Sequence, residues 1–153
     1  MKTTKVIFVR HGETEWNTEY KIQGSTDIEL NENGRRQAKD VAKRFQDEDI
    51  LIFSSPLKRA FYTAEMIANG RPIIVKEEMK EINFGDWEGY RFDQKKDDPN
   101  YIKFCKGEDG GPFGNSGNTI ESCAKANATF IYELVKQYQG QTLVCVSHGA
   151  CSL

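Results

Sequence analysis

Two short apolar runs, one near each end of the chain, stop in the same way: Val6-Ile7-Phe8-Val9-Arg10-His11-Gly12 and Leu143-Val144-Cys145-Val146-Ser147-His148-Gly149. Runs rich in β-branched residues and lacking polar alternation suit strands buried on both faces, and such strands belong to parallel sheets covered by helices. A polar residue followed by glycine then lies at the carboxyl edge of the sheet, where open α/β folds bind their ligands. The 153-residue chain has two histidines, and the pattern brings both imidazoles to one site.

The segments between the two runs support the same architecture. The first strand covers Lys5 to Val9 and is followed by a polar loop from His11 to about Leu30. Asn31 is placed to cap a helix that carries Ala38, Val41, Ala42 and Phe45 on one face. Ile50 to Phe53 read as a second strand. Ser54-Ser55-Pro56 then turn into a helix at about Leu57 with the stripe Leu57, Ala60, Phe61, Ala64, Ile67 and Ala68. Gly70 is expected to end that helix, and Pro72 to Val75 form a third strand.

The segment 107–117 holds five glycines and one proline and reads as a loop, a candidate lid. Asn118 and Glu121 have the spacing of a reciprocal cap for a helix bearing Ile120, Ala124, Ala128, Ile131, Leu134, Val135 and Tyr138. The order predicts a single domain over 1–153, an α/β fold built as a three-layer α/β/α sandwich with a mostly parallel sheet. The last strand has a buried composition but little chain after it. The expectation is therefore a C-terminally truncated molecule, or a homodimer in which a neighbouring chain supplies the cover.

Bulk properties exclude several classes of function. With 21 basic and 23 acidic residues the formal net charge is -2, which gives no general attraction to nucleic acid or to acidic membranes. No apolar stretch approaches the roughly 20 residues that cross a bilayer, and no signal-peptide pattern opens the sequence. Cys105, Cys123, Cys145 and Cys151 form no CxxC pair, so four reduced thiols in a cytoplasmic protein are expected. With two histidines and scattered cysteines, no metal site and no cofactor are expected.

Several side chains have the properties of phosphoryl-transfer groups. An imidazole is a competent nucleophile toward phosphorus when its ring is neutral and one nitrogen is unprotonated. Arg10, directly before His11, offers a planar fork of donors suited to phosphate, and Gly12 permits a tight turn. Arg59 falls in the first turn of a helix just beyond a strand, beside amide groups that favour anions. The segment Glu81-Ile82-Asn83-Phe84-Gly85-Asp86-Trp87-Glu88-Gly89 has too much aromatic surface for an exposed loop and should pack down. A carboxyl held there against apolar groups is suited to general acid work, with Glu81, Asp86 and Glu88 all candidates.

Taken together, the motifs resemble those of the histidine phosphatase superfamily, the phosphoglycerate mutase-like proteins. Arg10-His11-Gly12-Glu13-Thr14, with Trp16-Asn17, Gln23-Gly24, Asp27 and Leu30, is similar to the family's opening signature. Ser54-Ser55-Pro56-Leu57-Lys58-Arg59-Ala60 with Thr63-Ala64-Glu65 resembles its second motif, the Glu81–Gly89 segment its third, and Ser147-His148-Gly149 its last. The resemblance covers nearly the whole chain.

The resemblance implies a metal-independent enzyme in which His11 becomes phosphorylated. Arg10, Arg59 and His148 would hold the phosphoryl group, Asn17, Gln23 and Gly24 would add polar contacts, and Glu81 would be the proton donor. The implied partner is a small phosphorylated metabolite. Resemblance to small bacterial-type phosphatases favours a phosphomonoesterase; a phosphoglycerate mutase and an inactive phosphate-binding module are the alternatives. The sequence departs from the family pattern at Lys21, where many relatives have arginine, at Glu29, where proline is frequent, and at Asn118-Thr119.

Overall fold

The computed structural model describes residues 3–106, 112–115 and 118–148. Among these, strands β1 (Lys5–Arg10), β2 (Leu51–Ser54), β3 (Ile73–Val75) and β4 (Thr142–Ser147) form one sheet in the order β1-β4-β2-β3. All the pairings are parallel. The helices are α1 (Glu15–Thr18), α2 (Glu32–Ala42), α3 (Lys58–Ala68), α4 (Pro99–Cys105) and α5 (Ile120–Gln137). The outcome is the expected three-layer α/β/α sandwich.

Strand alternation assigns the two faces of the sheet. Ile52, Val144 and Val146 point to a core shared with Ala42 at the end of α2, with Phe45 in the turn that follows it, and with Ala60, Ala64 and Ile67 of α3. Phe53, Leu143 and Cys145 point the other way, onto Met79 and onto Phe130 and Leu134 of α5. β4 is buried along both faces because successive side chains leave opposite sides of the pleat, and Leu143 to Val146 are fully enclosed. A third cluster of Ile22, Ile82, Phe84, Trp87 and Phe113 anchors the loops. The aromatic segment after Glu81 therefore packs down, as its composition requires.

Local signals hold closely for the first half. Asn31 caps α2 by accepting the Gly34 N–H at 2.8 Å, and the α3 stripe is buried except for half-buried Phe61. Three details differ. Helix α3 stops at Asn69, which itself takes the left-handed conformation (φ 45) one residue before Gly70; asparagine is among the few side chains that tolerate it. The reciprocal cap of α5 is made by Thr119 and Ser122, not Asn118 and Glu121; a one-residue slip keeps the same S/T-x-x spacing. The buried face of α5 is set by Phe130 and Leu134, while Ala124 and Ala128 are exposed. Alanine offers too little area to fix a helix's rotation against an aromatic four residues from leucine.

Cys105 and Cys145 are free thiols. Cys123 is disulfide-bonded, so the expectation of four reduced cysteines is not met there. Among the described residues no helix is long and apolar enough to cross a membrane. The candidate lid falls partly outside the described residues, as do Gly149 to Leu153.

The entry to α2 is held by two glycines back to back. A Cβ on Gly34 would lie 2.0 Å from the Glu13 carbonyl oxygen, and one on Gly12 would lie 2.5 Å from that of Gly34. Helix propensity alone favours Gly34→Ala by about 1 kcal/mol. The backbone contact reverses the sign, and the substitution is expected to destabilise by about 2 kcal/mol or more. Urea midpoints of the two proteins check this; a stabilised Gly34→Ala protein contradicts the packing of the 11–14 turn on α2.

Candidate active site

The β1–β4 register decides the site. Arg10 pairs with Ser147, and the ladder runs one step further through the His11 N–H, which donates to the Ser147 carbonyl at 3.3 Å. His11 and His148 are thus cross-strand neighbours at the carboxyl edge, with ring centroids 5.1 Å apart and planes inclined at 58°. Both are buried, at 9% and 1% exposure.

Each ring is oriented by one hydrogen bond. His11 Nδ1 lies 2.7 Å from the Gly12 carbonyl oxygen. A carbonyl only accepts, so Nδ1 carries the proton and, in the neutral ring, Nε2 carries the lone pair. His148 Nε2 lies 2.8 Å from Ser55 Oγ, which also accepts the Leu57 N–H at 3.2 Å. Burial is the main cause that pushes the His11 pKa down to about 4; the Gly12 contact opposes the shift, and the nearby positive charges of Arg59 and Arg10 add to it. Burial pushes His148 further, to about 2, again assisted by Arg59, His11 and Arg10. Both imidazoles are neutral at physiological pH.

Arg59 is the largest fully buried side chain of the core, at 1% exposure. Its Nη1 donates to the Thr26 carbonyl and its Nη2 to that of Gly24, both at 2.6 Å, while Nε is buried without a hydrogen-bond partner. Among the described residues it makes no ion pair within 4.0 Å. Burial lowers its pKa, and the more distant carboxylates of Glu81, Asp27 and Glu88 oppose that shift. A buried guanidinium held only by carbonyl dipoles is a poor structural element and a good anion receptor.

Arg10, His11, Asn17 and Gly12 line an open cleft of about 310 Å³ together with Glu13 and Gln37. The Asn17 amide oxygen accepts the Thr14 N–H at 2.9 Å, and the Thr14 hydroxyl lies 2.7 Å from the Gln23 amide oxygen. With both oxygens turned to buried Thr14, the two amide groups retain their NH2 ends as donors. Gly24 enters differently from expectation: its carbonyl is occupied by Arg59. Its φ of +56 and the 2.2 Å approach of a Cβ to the Glu88 carboxylate restrict the position to glycine.

The three acidic candidates separate clearly. Glu81 is half-buried, accepts its neighbour's Ile82 N–H at 3.0 Å, and receives the Ser25 hydroxyl on its carbonyl at 3.0 Å. It borders a second cavity of about 430 Å³ with Ser25, Lys80, Asn118, Ser122 and Asn127. Asp86 is exposed on the 85–87 turn. Glu88 has both oxygens engaged, on the Ser25 and Phe84 amides at 3.0 and 2.9 Å and on the Thr26 hydroxyl. Of the three, Glu81 and Glu88 lie near enough to Arg59 to act on its pKa, and Glu88 is committed to the loop amides and the Thr26 hydroxyl.

Lys21 and Glu29 do not line the histidine cleft. Lys21 pairs with Glu19 and lies over the Trp16 ring, and Glu29 pairs with Lys58. Gln37 is a cleft residue that the sequence did not single out; it reaches the site by accepting the Glu13 N–H at 2.9 Å, a contact across 24 positions with no local signal. The roles of Ser55 and Thr14 were equally hidden, although buried hydroxyls beside a strand–helix turn are a usable clue. Among the described residues no three His, Cys, Asp or Glu side chains converge as a metal-ligand set.

The sequence profile of the histidine phosphatase superfamily (branch 1) matches residues 6–152. The chain belongs to this superfamily. It is 34% identical over 152 residues to phosphoglycerate mutase-like protein 4 of Arabidopsis thaliana, an alignment spanning 95% of this chain and 66% of that protein. It is 30% identical over 155 residues to the metal-independent phosphoserine phosphatase of the same plant, spanning 97% of this chain and 65% of the relative. The chain thus spans slightly less than two thirds of the length of these relatives. The crystal structure of phosphoserine phosphatase from Entamoeba histolytica with 3-phosphoglyceric acid superimposes with a TM-score of 0.90 at 51% identity, covering 97% of this chain and 76% of that one.

The neutral histidine pair gives this superfamily member a pH signature. In the unfolded chain each imidazole takes up a proton near pH 6.5, whereas the folded rings resist until about 4 and about 2. The unfolded state therefore binds more protons below neutrality. Stability is expected to fall from pH 7 toward pH 5 by up to about 1.4 kcal/mol per pH unit for each ring. Urea denaturation across that interval tests it, and a flat profile contradicts a buried neutral pair.

Proposed function

We propose that the chain carries the phosphoryl-transfer site of a metal-independent phosphomonoesterase acting on a small phosphorylated metabolite through phosphohistidine at His11. The observation that carries this reading is the buried guanidinium of Arg59, which has no ion-pair partner among the described residues, beside two neutral imidazoles, with Arg10 at the same edge. The group that would complete such a set is a dianion.

The chemistry follows from the proton positions. His11 Nε2 attacks phosphorus in line with the leaving oxygen, while Nδ1–H stays on the Gly12 carbonyl and disperses the charge gained by the ring. Arg10 and Arg59 neutralise charge that spreads onto the equatorial oxygens. His148 acts beside them: Ser55 Oγ already accepts the Leu57 N–H, so its own proton is placed on His148 Nε2 and the ring presents Nδ1–H as a donor. Asn17 and Gln23 supply amide donors. Glu81 gives a proton to the leaving alkoxide as the P–O bond breaks. The same carboxylate then takes a proton from water, which attacks phosphorus and returns His11 to its neutral state.

The likeness to phosphoserine phosphatases from an amoeba and a plant supports phosphoserine, or a similarly small acidic phosphomonoester, as the substrate. The likeness to phosphoglycerate mutase-like protein 4 supports a second reading, in which the phosphoryl group returns to another hydroxyl of the product. Phosphate release from phosphoserine, compared with isomerisation of 3-phosphoglycerate, separates the two.

Hydrolysis of p-nitrophenyl phosphate in the presence of a chelator should fall at least about 1,000-fold in His11→Ala, with loss of the acid-labile phosphoryl group trapped on the wild-type protein. Equal rates in the two proteins overturn the reading. Glu81→Gln should cost about 100-fold or more on an alkyl phosphate, which needs protonation of its leaving oxygen. It should cost far less on dinitrophenyl phosphate, whose leaving group departs as the anion. Equal losses on both substrates remove Glu81 as the acid.

A further inference from the structure

We infer that Glu88 is a positioning residue that holds the Arg59 anion clamp and the Glu81 carboxyl in one rigid arrangement. This rests on the phosphatase reading above and assigns a function to a carboxylate that takes no part in the proposed chemistry.

The geometry is that of a single clip across two loops. One Glu88 oxygen accepts the Ser25 N–H at 3.0 Å and the Phe84 N–H at 2.9 Å, and the other accepts the Thr26 hydroxyl. Ser25 and Thr26 belong to the turn whose carbonyls, at Gly24 and Thr26, receive both terminal nitrogens of Arg59. Phe84 belongs to the segment that begins at Glu81. The clip is doubled by the Gly89 N–H on the Ile22 carbonyl at 2.9 Å and by the Ser25 hydroxyl on the Glu81 carbonyl at 3.0 Å. Glu88 thus fixes the two carbonyls that aim Arg59 and, through Ser25, the backbone that carries Glu81.

Two further observations fit this role. Gly24 has no room for a Cβ because the Glu88 carboxylate would lie 2.2 Å away, so the turn is pressed directly onto the clip. Glu88 is also near enough to Arg59 to oppose the fall in its pKa, after Glu81 and Asp27. Displacing a phosphate-orienting group by about 1 Å is enough to cost on the order of 100-fold in rate, so a clip of this kind matters without touching substrate.

The role predicts a linked pair of defects. Glu88→Ala should weaken inorganic phosphate binding about tenfold by calorimetry. It should also reduce turnover of an alkyl phosphate more than that of dinitrophenyl phosphate, because both Arg59 and Glu81 lose their alignment. Glu88→Gln retains an amide oxygen for the two N–H donors and should restore phosphate affinity to within about threefold of wild type. A residue that merely stabilised the fold would lower the melting temperature of Glu88→Ala and leave both the phosphate affinity and the leaving-group dependence of the folded protein unchanged; that result overturns the inference. If Glu88→Ala does not fold, Glu88→Gln and Glu88→Asp decide. The inference needs wild-type-like binding in the first and a weakened one in the second, whose shortened carboxylate cannot span both loops. A wild-type chain that neither binds phosphate nor turns over sinks the phosphatase reading and the clip together. A wild-type chain that does both, while Glu88→Ala and Glu88→Asp bind phosphate normally, sinks the clip alone.

Discussion

Parallel pairing of the first and last strands is the constraint on which the site depends. Parallel neighbours cannot be joined by a hairpin, so the intervening chain must cross over and cover the sheet. The same pairing sets Arg10 opposite Ser147 and leaves the next residue on each strand, a histidine, just past the end of the ladder. A shift of one residue in this register would exchange the two faces of β4, sending Leu143 and Cys145 into the core shaped around Val144 and Val146 and the reverse. The hydrophobic core on both faces therefore enforces the separation of two imidazoles that lie outside it.

The electrostatics follow from the same burial. Removing two imidazoles and a guanidinium from water costs free energy. The rings respond by staying neutral, and Arg59 by leaning on the carbonyls of Gly24 and Thr26. A fold that spent stability on such a cluster without an anionic ligand would gain from replacing Arg59 with an apolar residue of similar volume. The aromatic cluster of Phe84, Trp87 and Phe113 packs beneath the loops that carry these donors and acceptors.

The sequence made the α/β order legible because strands and helices here advertise themselves at short range: β-branched runs, an Asn31 cap, an alanine-rich stripe in α3. It was less informative where several weak signals competed. The cap of α5 lies one residue from its expected place because Asn118, Thr119 and Ser122 are all capping residues, and only packing chooses among them. Its buried face depended on Phe130, which the alanine pattern obscured. Asn69 ended α3 in place of Gly70 because the adjacent residue tolerates the same backbone conformation.

For the site, histidine followed by glycine at the end of a buried strand, repeated at both ends of the chain and joined by Arg10 and Arg59, suited phosphate chemistry, and the four ordered motifs tied it to the family. Composition did not separate Glu81, Asp86 and Glu88, which have the same functional group within eight positions of one another; the family resemblance pointed to Glu81. The structure adds that Glu88 has both oxygens engaged by the loops and that Asp86 is exposed. By itself the sequence determined the layered fold, the two strands that end in histidine and the kind of ligand they suit, because these rest on periodicity and local backbone preference. The tertiary structure alone decided the burial of Arg59, the approach of His148 to Ser55 and the hydrogen bonds made by Glu88, because each depends on contacts between segments far apart in the chain, whose geometry no local pattern encodes.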